Sequence, residues 1–200
     1  LTQTLVDPAD PAFAKPSKPI GPVYDKQTAQ ALAAERGWAV APDGPDGKAW
    51  RRVVASPAPR RIVQLAAIRR LVDSGCLVVC AGGGGIPVRS GPSGAPEGVE
   101  AVIDKDLAAC LLAKDIDAGC LLILTDVDGV YEDWGTPAQK RIEAVSARTL
   151  DPASFAAGSM GPKIEAARDF ALATGRPAFI GALGRAADIL SGRSGTRIDP

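Results

Sequence analysis

The sequence predicts an α/β protein: a three-layer α/β/α sandwich with a mostly parallel sheet, preceded by a small protruding flap subdomain. From residue 60 onward, segments with the apolar period of a helix alternate with short apolar runs of strand length. The runs at 76–81 and 120–124 are continuously apolar, as expected for strands buried on both faces of a parallel sheet. The proline-rich N-terminal part lacks this pattern. We therefore predict a flap with its flanks over residues 1–59 and one α/β domain over residues 60–200.

Helices are predicted where apolar residues recur at helical spacing beside a start or stop signal. Gly37 and Gly75 are natural helix stops. Asp104 is well placed as an N-cap, and Pro162 suits the first turn of a helix. The predicted helices cover residues 28–36, 60–74, 105–117, 148–155, 162–173 and 185–190.

Strands are predicted at short apolar runs bounded by turn residues. Turn-rich sequence at 89–98 and between 130 and 145 predicts two hairpins. Loops 82–87 and 125–131 each follow an apolar strand, and ligands of parallel sheets bind at the carboxyl ends of strands. The predicted strands cover residues 38–40, 50–54, 76–81, 120–124, 176–182 and 195–198.

The charge pattern excludes several classes of partner. Lys and Arg total 23 and Asp and Glu total 23, so the formal net charge is zero, and no basic stripe is present. A nucleic-acid interface would need such a stripe. No apolar run approaches the roughly 20 residues of a membrane span, and the N-terminus lacks a secretory signal pattern. We expect a soluble protein with small-molecule partners.

Cysteine and histidine usage narrows the chemistry. The chain has no C-x-x-C pair, and its four cysteines are expected to be small buried hydrophobes in a reducing cytoplasm. The chain contains no histidine, which excludes Ser-His-Asp and Cys-His nucleophiles and His-ligated metals. Lysines, carboxylates and backbone amides remain, and phosphoryl transfer is the leading chemistry for such groups.

The glycine run Gly82–Gly85 is the first candidate for a functional loop. Glycine leaves backbone amides open to an anion, as in phosphate-binding nests. The run lacks the Gly-Lys-Ser/Thr of a Walker A loop, and no helix opens directly after it as in a dinucleotide fingerprint. A phosphate cradle and a flexible connector both remain open.

Two lysines lie at predicted helix starts, where the helix dipole disfavours a cation. Lys105 lies between Asp104 and Asp106, and Lys163 follows the glycine-rich stretch 158–162. The carboxylates fit simple capping, and the alternative for Lys163 is a solvated side chain. The repetition favours bound anions near both lysines.

The segment Thr125-Asp126-Val127-Asp128 places two carboxylates after a buried strand. They are compatible with capping a turn, binding hydrated magnesium, or holding a ribose and its base. Tyr131 and Trp134 follow and are suited to packing on a purine, or are ordinary hairpin side chains.

Taken together, these segments resemble the amino-acid kinase family and, within it, the carbamate kinases. The resemblance extends over essentially the whole chain. TDVDGVY is shared across the wider family, whereas the proline-rich segment and GVEAVIDKDLA are particular to the subfamily. The segments that carry the resemblance are DPADPAF and PSKPIGPVY in 7–24, WAVAPDGPDGKAWRRVV at 38–54, AGGGGIPV at 81–88, GVEAVIDKDLAA at 98–109, LLILTDVDGVY at 121–131, GSMGPKIEAA at 158–167 and GTRIDP at 195–200.

The resemblance implies roles for individual residues. Lys105 and Lys163 would neutralise charge on a transferring phosphoryl group, Asp106 would orient them, and Lys18 would reach over the phosphates from the flap. Gly82, Gly83 and Gly84 would lie near the substrate end, and no residue is assigned as a metal ligand. The residues implied at the nucleotide are Thr125, Asp126, Val127, Asp128, Tyr131, Met160 and Gly161.

The resemblance also implies an activity: reversible phosphoryl transfer between ATP and carbamate, giving carbamoyl phosphate and ADP with magnesium. It further implies a cytoplasmic homodimer, often serving arginine breakdown. Family members begin with a strand and a GGNA-like loop, which this chain lacks, and the only methionine is Met160. We therefore expect an N-terminally truncated chain that is inactive by itself and prone to aggregate through an exposed sheet edge.

Three alternative functions remain. Another amino-acid kinase, acting on acetylglutamate, aspartate or a nucleoside monophosphate, is disfavoured by the flap sequence at 7–24. A non-catalytic nucleotide-binding protein of the same fold is disfavoured by the presence of Lys105, Asp106 and Lys163. A nicotinamide-dependent oxidoreductase is suggested only by the glycine run and lacks the strand–GxGxxG–helix context.

Overall fold

The computed structural model describes residues 2–44, 46–155 and 159–200. They form two compact units. The first contains the described residues up to Val63 together with Gly82–Asp104, and the second contains Gln64–Ala81 together with the described residues from Lys105 to Pro200. The predicted division of roles between residues 1–59 and 60–200 stays a prediction, whereas residues 82–104 fold with the N-terminal part of the chain.

The described residues of the first unit form two sheets and one α-helix. Its strands are β1 (Gln3–Val6), β2 (Lys18–Tyr24), β3 (Ala39–Asp43), β4 (Ala49–Val54), β5 (Pro59–Ile62), β6 (Ile86–Ser90) and β7 (Pro96–Gly98), and its helix is α1 (Lys26–Arg36). One sheet has the order β5-β1-β6-β7, in which β1 and β6 are parallel. The other is the antiparallel sheet β2-β4-β3, against which α1 packs.

Helix α1 confirms the helix predicted before Gly37. The Asp25 carboxylate caps its N-terminus by accepting a 2.8 Å hydrogen bond from the Thr28 amide. Gly37 ends the helix in the left-handed conformation, with φ 65°. The following strands β3 and β4 lie where two short strands were predicted at 38–40 and 50–54; they pair antiparallel, and their register pairs Val40 with Arg52.

The second unit is an α/β layer structure around one apolar core. Its helices are α2 (Leu65–Asp73), α3 (Lys105–Asp115), α4 (Met160–Thr174) and α5 (Ala186–Leu190), and its strands are β8 (Leu121–Thr125), β9 (Val130–Glu132), β10 (Lys140–Ile142), β11 (Ala144–Ser146), β12 (Ala178–Ala182) and β13 (Thr196–Asp199). The main sheet has the order β11-β13-β12-β8, with β8 parallel to β12 and β11 parallel to β13. The β12–β13 pairing is antiparallel. The predicted α/β class with a mostly parallel sheet is confirmed.

Helices α3 and α4 pack on each other within that core. Both present small side chains at the contact, including Cys110 and Ala113 from α3 and Ala167 from α4, and all three are buried. Small residues let two helix backbones approach closely, and Phe170 fills the space beside them. Burial raises the pKa of the Cys110 thiol to about 12, so this cysteine behaves as the predicted small hydrophobe.

The strand predicted at 76–81 is wrong. These residues belong to no described strand, and the side chains of Leu77 and Val79 are 97% and 95% exposed. A strand needs a neighbour for its amide and carbonyl groups, and no described strand pairs with this segment. The predicted burial of Cys76 is wrong for the same reason, because Cys76 is exposed.

Two helices differ in extent from their predictions. In the first case, pairing with a strand that is distant in sequence overrides the local helix pattern. Residues 60–62 belong to β5, where Arg61 pairs with Leu5 and Ile62 with Thr4, so the helix predicted from residue 60 begins at Leu65. The helix predicted at 148–155 is only a 3-10 turn at Pro152–Ser154.

Strands β1 and β2 were not predicted. In β2, Pro19 and Pro22 are tolerated because β2 is an edge strand of its sheet.

Within the part of the chain that the structure describes, no helix is both long and apolar enough to span a lipid bilayer.

Exposed apolar side chains at 76–81 predict self-association of the 200-residue chain. Replacing both Leu77 and Val79 by threonine should raise the monomer fraction, because it removes the most exposed large apolar side chains of this segment. The monomer fraction is measured by size-exclusion chromatography with light scattering. The control replaces Leu183 and Leu190, 73% and 51% exposed, by threonine and should leave association unchanged. A wild-type chain that is monodisperse and melts cooperatively contradicts this prediction.

Candidate functional site

Two lysines converge on one buried carboxylate in the second unit. Lys163 Nζ lies 2.9 Å from Asp106 Oδ2, and Lys105 Nζ lies 3.5 Å from the same oxygen. Asp106 and Lys163 are 6% and 9% exposed, whereas the Lys105 side chain is 56% exposed. The predicted trio of Lys105, Asp106 and Lys163 is therefore assembled within one compact unit.

The packing of α3 and α4 produces this convergence. Asp106 lies in the first turn of α3, and Lys163 in the first turn of α4. A lysine near a helix N-terminus is disfavoured by the helix dipole, and the adjacent carboxylate offsets that cost. Two ammonium groups and one carboxylate still give the trio a positive formal charge. The trio is therefore suited to binding an anion that contacts the exposed Lys105.

Lys18 and Asp104 form a second ion pair, in the first unit. Lys18 Nζ lies 2.5 Å from Asp104 Oδ2, and the Asp104 side chain is 7% exposed. Asp104, predicted as the N-cap of α3, thus receives a lysine of β2 on its carboxylate. The structure does not assemble Lys18 within the compact unit that contains Lys105, Asp106 and Lys163.

A cavity of about 850 Å³ opens beside Lys163. Five residues predicted at a nucleotide line it: Thr125, Asp126, Val127, Tyr131 and Met160. Further lining residues are Gly129, Glu132, Asp133, Trp134, Ser154, Phe155 and Ser159. Asp128 contacts the wall indirectly, by accepting a 2.6 Å hydrogen bond from the Tyr131 hydroxyl, and Gly161 is buried in the first turn of α4.

The aromatic wall of the cavity is held by the β9–β10 hairpin. Tyr131 and Trp134 form an edge-to-face pair with ring centroids 5.1 Å apart. The hydrogen bond to Asp128 raises the pKa of the Tyr131 hydroxyl. Trp134 is 62% exposed despite its size, which leaves indole surface open to a ligand.

Thr196 anchors this hairpin to the sheet and was missed by sequence reasoning. It is fully buried, and its hydroxyl accepts a 2.8 Å hydrogen bond from the Val130 amide and donates to the Ile142 carbonyl. A Cβ at Gly129 would lie 3.0 Å from that hydroxyl oxygen, so glycine suits the close approach. A polar residue inside a short buried strand was the available signal, whereas nothing local marked Phe155 or Ser154 as cavity residues.

The glycine loop lies in the first unit and has a partly structural explanation. Thr4 Oγ1 donates a 2.8 Å hydrogen bond to the Gly84 carbonyl, and a Cβ at Gly84 would lie 2.5 Å from the Ile103 carbonyl oxygen. Packing therefore requires glycine at 84. Apart from the adjacent residues of the chain, no described residue has an atom within 4 Å of a Cβ built at Gly82 or Gly83, so these two positions are open to a ligand. Their role near a substrate stays a prediction.

Sequence comparison defines the class of this protein. A model of the amino acid kinase family matches residues 10–182. The chain belongs to the amino acid kinase family, as the sequence motifs indicated.

Several proteins that are nearly half identical to this chain are carbamate kinases. The chain is 49% identical to the carbamate kinase of Haemophilus influenzae over 198 residues, which are 99% of this chain and 63% of that protein. It is 47% identical to the carbamate kinase of Pyrococcus horikoshii over 204 residues, covering 100% of this chain and 64% of that protein. The resemblance to this subfamily is confirmed, and the chain spans slightly less than two thirds of the length of these relatives.

Solved structures agree with the sequence comparison. A carbamate kinase from Giardia lamblia bound to AMP-PNP superposes with a TM-score of 0.84 at 44% identity, covering 99% of this chain and 63% of that one. The same protein bound to citric acid gives a TM-score of 0.89 at 43% identity, with 100% and 63% covered.

Replacing Thr196 by valine should loosen the aromatic wall. Valine keeps the shape but leaves the Val130 amide and the Ile142 carbonyl without the hydroxyl, and we expect a loss of about 2–4 kcal/mol in the free energy of unfolding. Urea unfolding measures the loss. Thr196→Ser keeps the hydroxyl and should cost only about 1 kcal/mol. Equal stability of the two variants contradicts the anchoring role.

Proposed function

We propose that this chain carries the nucleotide and phosphoryl site of a carbamate kinase, which transfers a phosphoryl group reversibly between ATP and carbamate. The products are carbamoyl phosphate and ADP. The observation that supports this most strongly is the pair of lysines on buried Asp106, of which Lys163 also lines a large cavity. The identity to carbamate kinases over nearly the whole chain supports the choice of acceptor.

The residue inventory fits this chemistry. Phosphoryl transfer depends on positioning and on stabilising negative charge more than on covalent catalysis. Lys163 and Lys105 would bind the transferring group, with Asp106 fixing both ammonium groups. Carbamate is already an anion and needs no general base, which agrees with a chain that lacks histidine.

The cavity suggests how the nucleotide binds. Lys163 lines it, and the phosphates would lie at this ammonium group. Tyr131 and Trp134 also line it and are suited to packing on a purine, and Met160 and Phe155 supply further apolar surface. The segment Thr125–Asp128 would hold the ribose.

Two groups of the first unit are assigned to the same reaction. We propose that Lys18 supplies a third ammonium group to the transferring phosphoryl group. We also propose that Gly82, Gly83 and Gly84 bind the acceptor end through backbone amides, as glycine-rich nests bind anions. The openness at Gly82 and Gly83 supports this role.

Magnesium is proposed to accompany the nucleotide. Mg²⁺ in such sites is bound mostly by phosphate oxygens and water, with one or two carboxylates. The Asp126 carboxylate lines the cavity and is exposed, so it fits that donor set. The ion would supply charge stabilisation at the phosphates.

The biological setting follows from the same assignment. We propose a cytoplasmic homodimer, without a nucleic-acid or membrane partner, that serves arginine breakdown. Because the chain spans 63% of a curated relative's length, we propose that the 200-residue chain by itself is inactive.

ATP formation from ADP, magnesium and carbamoyl phosphate tests the activity in the complete protein that the gene encodes. Lys163→Met should lower kcat at least about 100-fold, because it removes a charge that stabilises the transition state. The matched control is Lys114→Met, since Lys114 is paired with Asp169 at 2.6 Å and does not line the cavity as described. An inactive but folded complete protein contradicts the proposal, and so does equal activity of the two variants. Activity with acetylglutamate or aspartate instead would reassign the acceptor.

Tryptophan fluorescence tests where the base binds. ADP should change the emission of the complete protein, because a base packed on the Tyr131–Trp134 pair alters the exposed indole. Trp134→Phe should abolish the change, whereas Trp50→Phe, in strand β4 of the other unit, should keep it. A change that survives Trp134→Phe would place the base elsewhere.

A further inference from the structure

The ion pair between Lys18 and Asp104 differs from a surface ion pair because its carboxylate is buried. The Asp104 side chain is 7% exposed and the Lys18 side chain 31% exposed, with 2.5 Å between Nζ and Oδ2. A buried carboxylate carries a large desolvation cost, which close charged hydrogen bonds offset. The lysine remains partly accessible at the same time.

The backbone fixes both members of the pair. Lys18 is the first residue of β2 and lies opposite Val54 of β4, and the Ser17 amide donates to the Val54 carbonyl at 3.1 Å. The next residue of that chain, Ala55, accepts a 2.9 Å hydrogen bond from the Val102 amide. Asp104 follows two residues later, so the pair is built by backbone hydrogen bonds on both sides.

The residue between these anchors is also fixed. Ile103 is 1% exposed, and its carbonyl lies so close to Gly84 that a Cβ there would be 2.5 Å away. Val102, Ile103 and Asp104 therefore have little freedom to shift. The Asp104 carboxylate is presented to Lys18 from a rigid segment.

An ammonium group has three N–H donors, and its long stem has many rotamers. A carboxylate that takes one donor restricts the stem and leaves the others able to reach a second anion. Asp106 acts in this way on Lys163 in the second unit, at 2.9 Å. The tripeptide Asp104-Lys105-Asp106 thus carries two carboxylates, each holding a lysine that is distant in sequence.

We propose that Asp104 is a positioning residue for the reaction. It holds the ammonium group of Lys18 in the orientation in which Lys18 donates to the transferring phosphoryl group. This role rests on the proposed function, and it adds a residue to which the sequence analysis assigned only helix capping.

A double-mutant cycle in the complete protein tests the role. The variants are Asp104→Asn, Lys18→Met and the combination, and kcat and the KM for ADP are measured in the ATP-forming direction. Asp104→Asn should lower kcat about tenfold and change the KM for ADP less than about threefold. The reason is that Asp104 orients Lys18 for the transition state, whereas the binding of ADP does not depend on Asp104. Lys18→Met should lower kcat about 100-fold, and the double variant should match Lys18→Met, since Asp104 acts through Lys18.

The control variant is Glu100→Gln. Glu100 also pairs with a cation of the first unit, Arg52, at 2.6 Å, but its side chain is 81% exposed. It should leave kcat unchanged, since surface pairs contribute little. A loss as large as that of Asp104→Asn would show a general charge effect and overturn the positioning role.

The outcomes separate this inference from the proposed function. A folded complete protein that forms no ATP overturns both. An active protein in which the two single losses multiply, or in which Asp104→Asn keeps full kcat, overturns the positioning role alone. If Asp104→Asn fails to fold, Asp104→Glu enters the same cycle, because it keeps the charge and displaces it by one methylene. Its kcat should fall in the wild-type background and not in the Lys18→Met background.

Discussion

The ion pair between Lys163 and Asp106 is the interaction on which the site depends. Both groups are almost fully buried, 57 residues apart in sequence, and meet where the first turns of α3 and α4 pack together. Removing either partner alone would leave a buried charge, at a cost of about 3–5 kcal/mol. The pair thus links the core packing of the second unit to a fixed cation at the cavity, and it brings Lys105 beside that cation.

Much of this site could be predicted because its signals are local. Lys105 and Lys163 each lie at a helix start, where a cation is disfavoured unless an anion lies near it. The lysines and the helix-start signals beside them could both be identified in the sequence. The wall of the cavity was less accessible to prediction. Thr196 reaches the hairpin from 66 residues away in sequence, and Phe155 joins the lining through a turn with no apolar period. Such residues depend on tertiary packing, which local patterns do not encode.

The fold shows the same limit. Apolar period and helix signals located α1, α3 and α4, because capping and packing act within one segment. Residues 60–62 follow a helix pattern yet pair with β1, and residues 76–81 have a strand pattern yet pair with no described strand. Whether a segment forms a strand depends on a neighbouring strand with which it can pair. The sequence of the segment alone therefore predicts that it can form a strand, and not that it does. Gly84 shows that one residue type can have two explanations. Its place in a glycine run suggested a phosphate-binding loop, but the close carbonyl of Ile103 also requires glycine at this position.

A crystal structure of the complete protein with a non-hydrolysable ATP analogue and magnesium tests whether the two lysines on Asp106 bind the phosphates. We expect that Lys163 keeps its bond to Asp106 while both Lys163 and Lys105 contact phosphate oxygens, with the base against Tyr131 and Trp134. A nucleotide bound outside this cavity, or phosphates that leave Lys163 in contact with Asp106 alone, would contradict it.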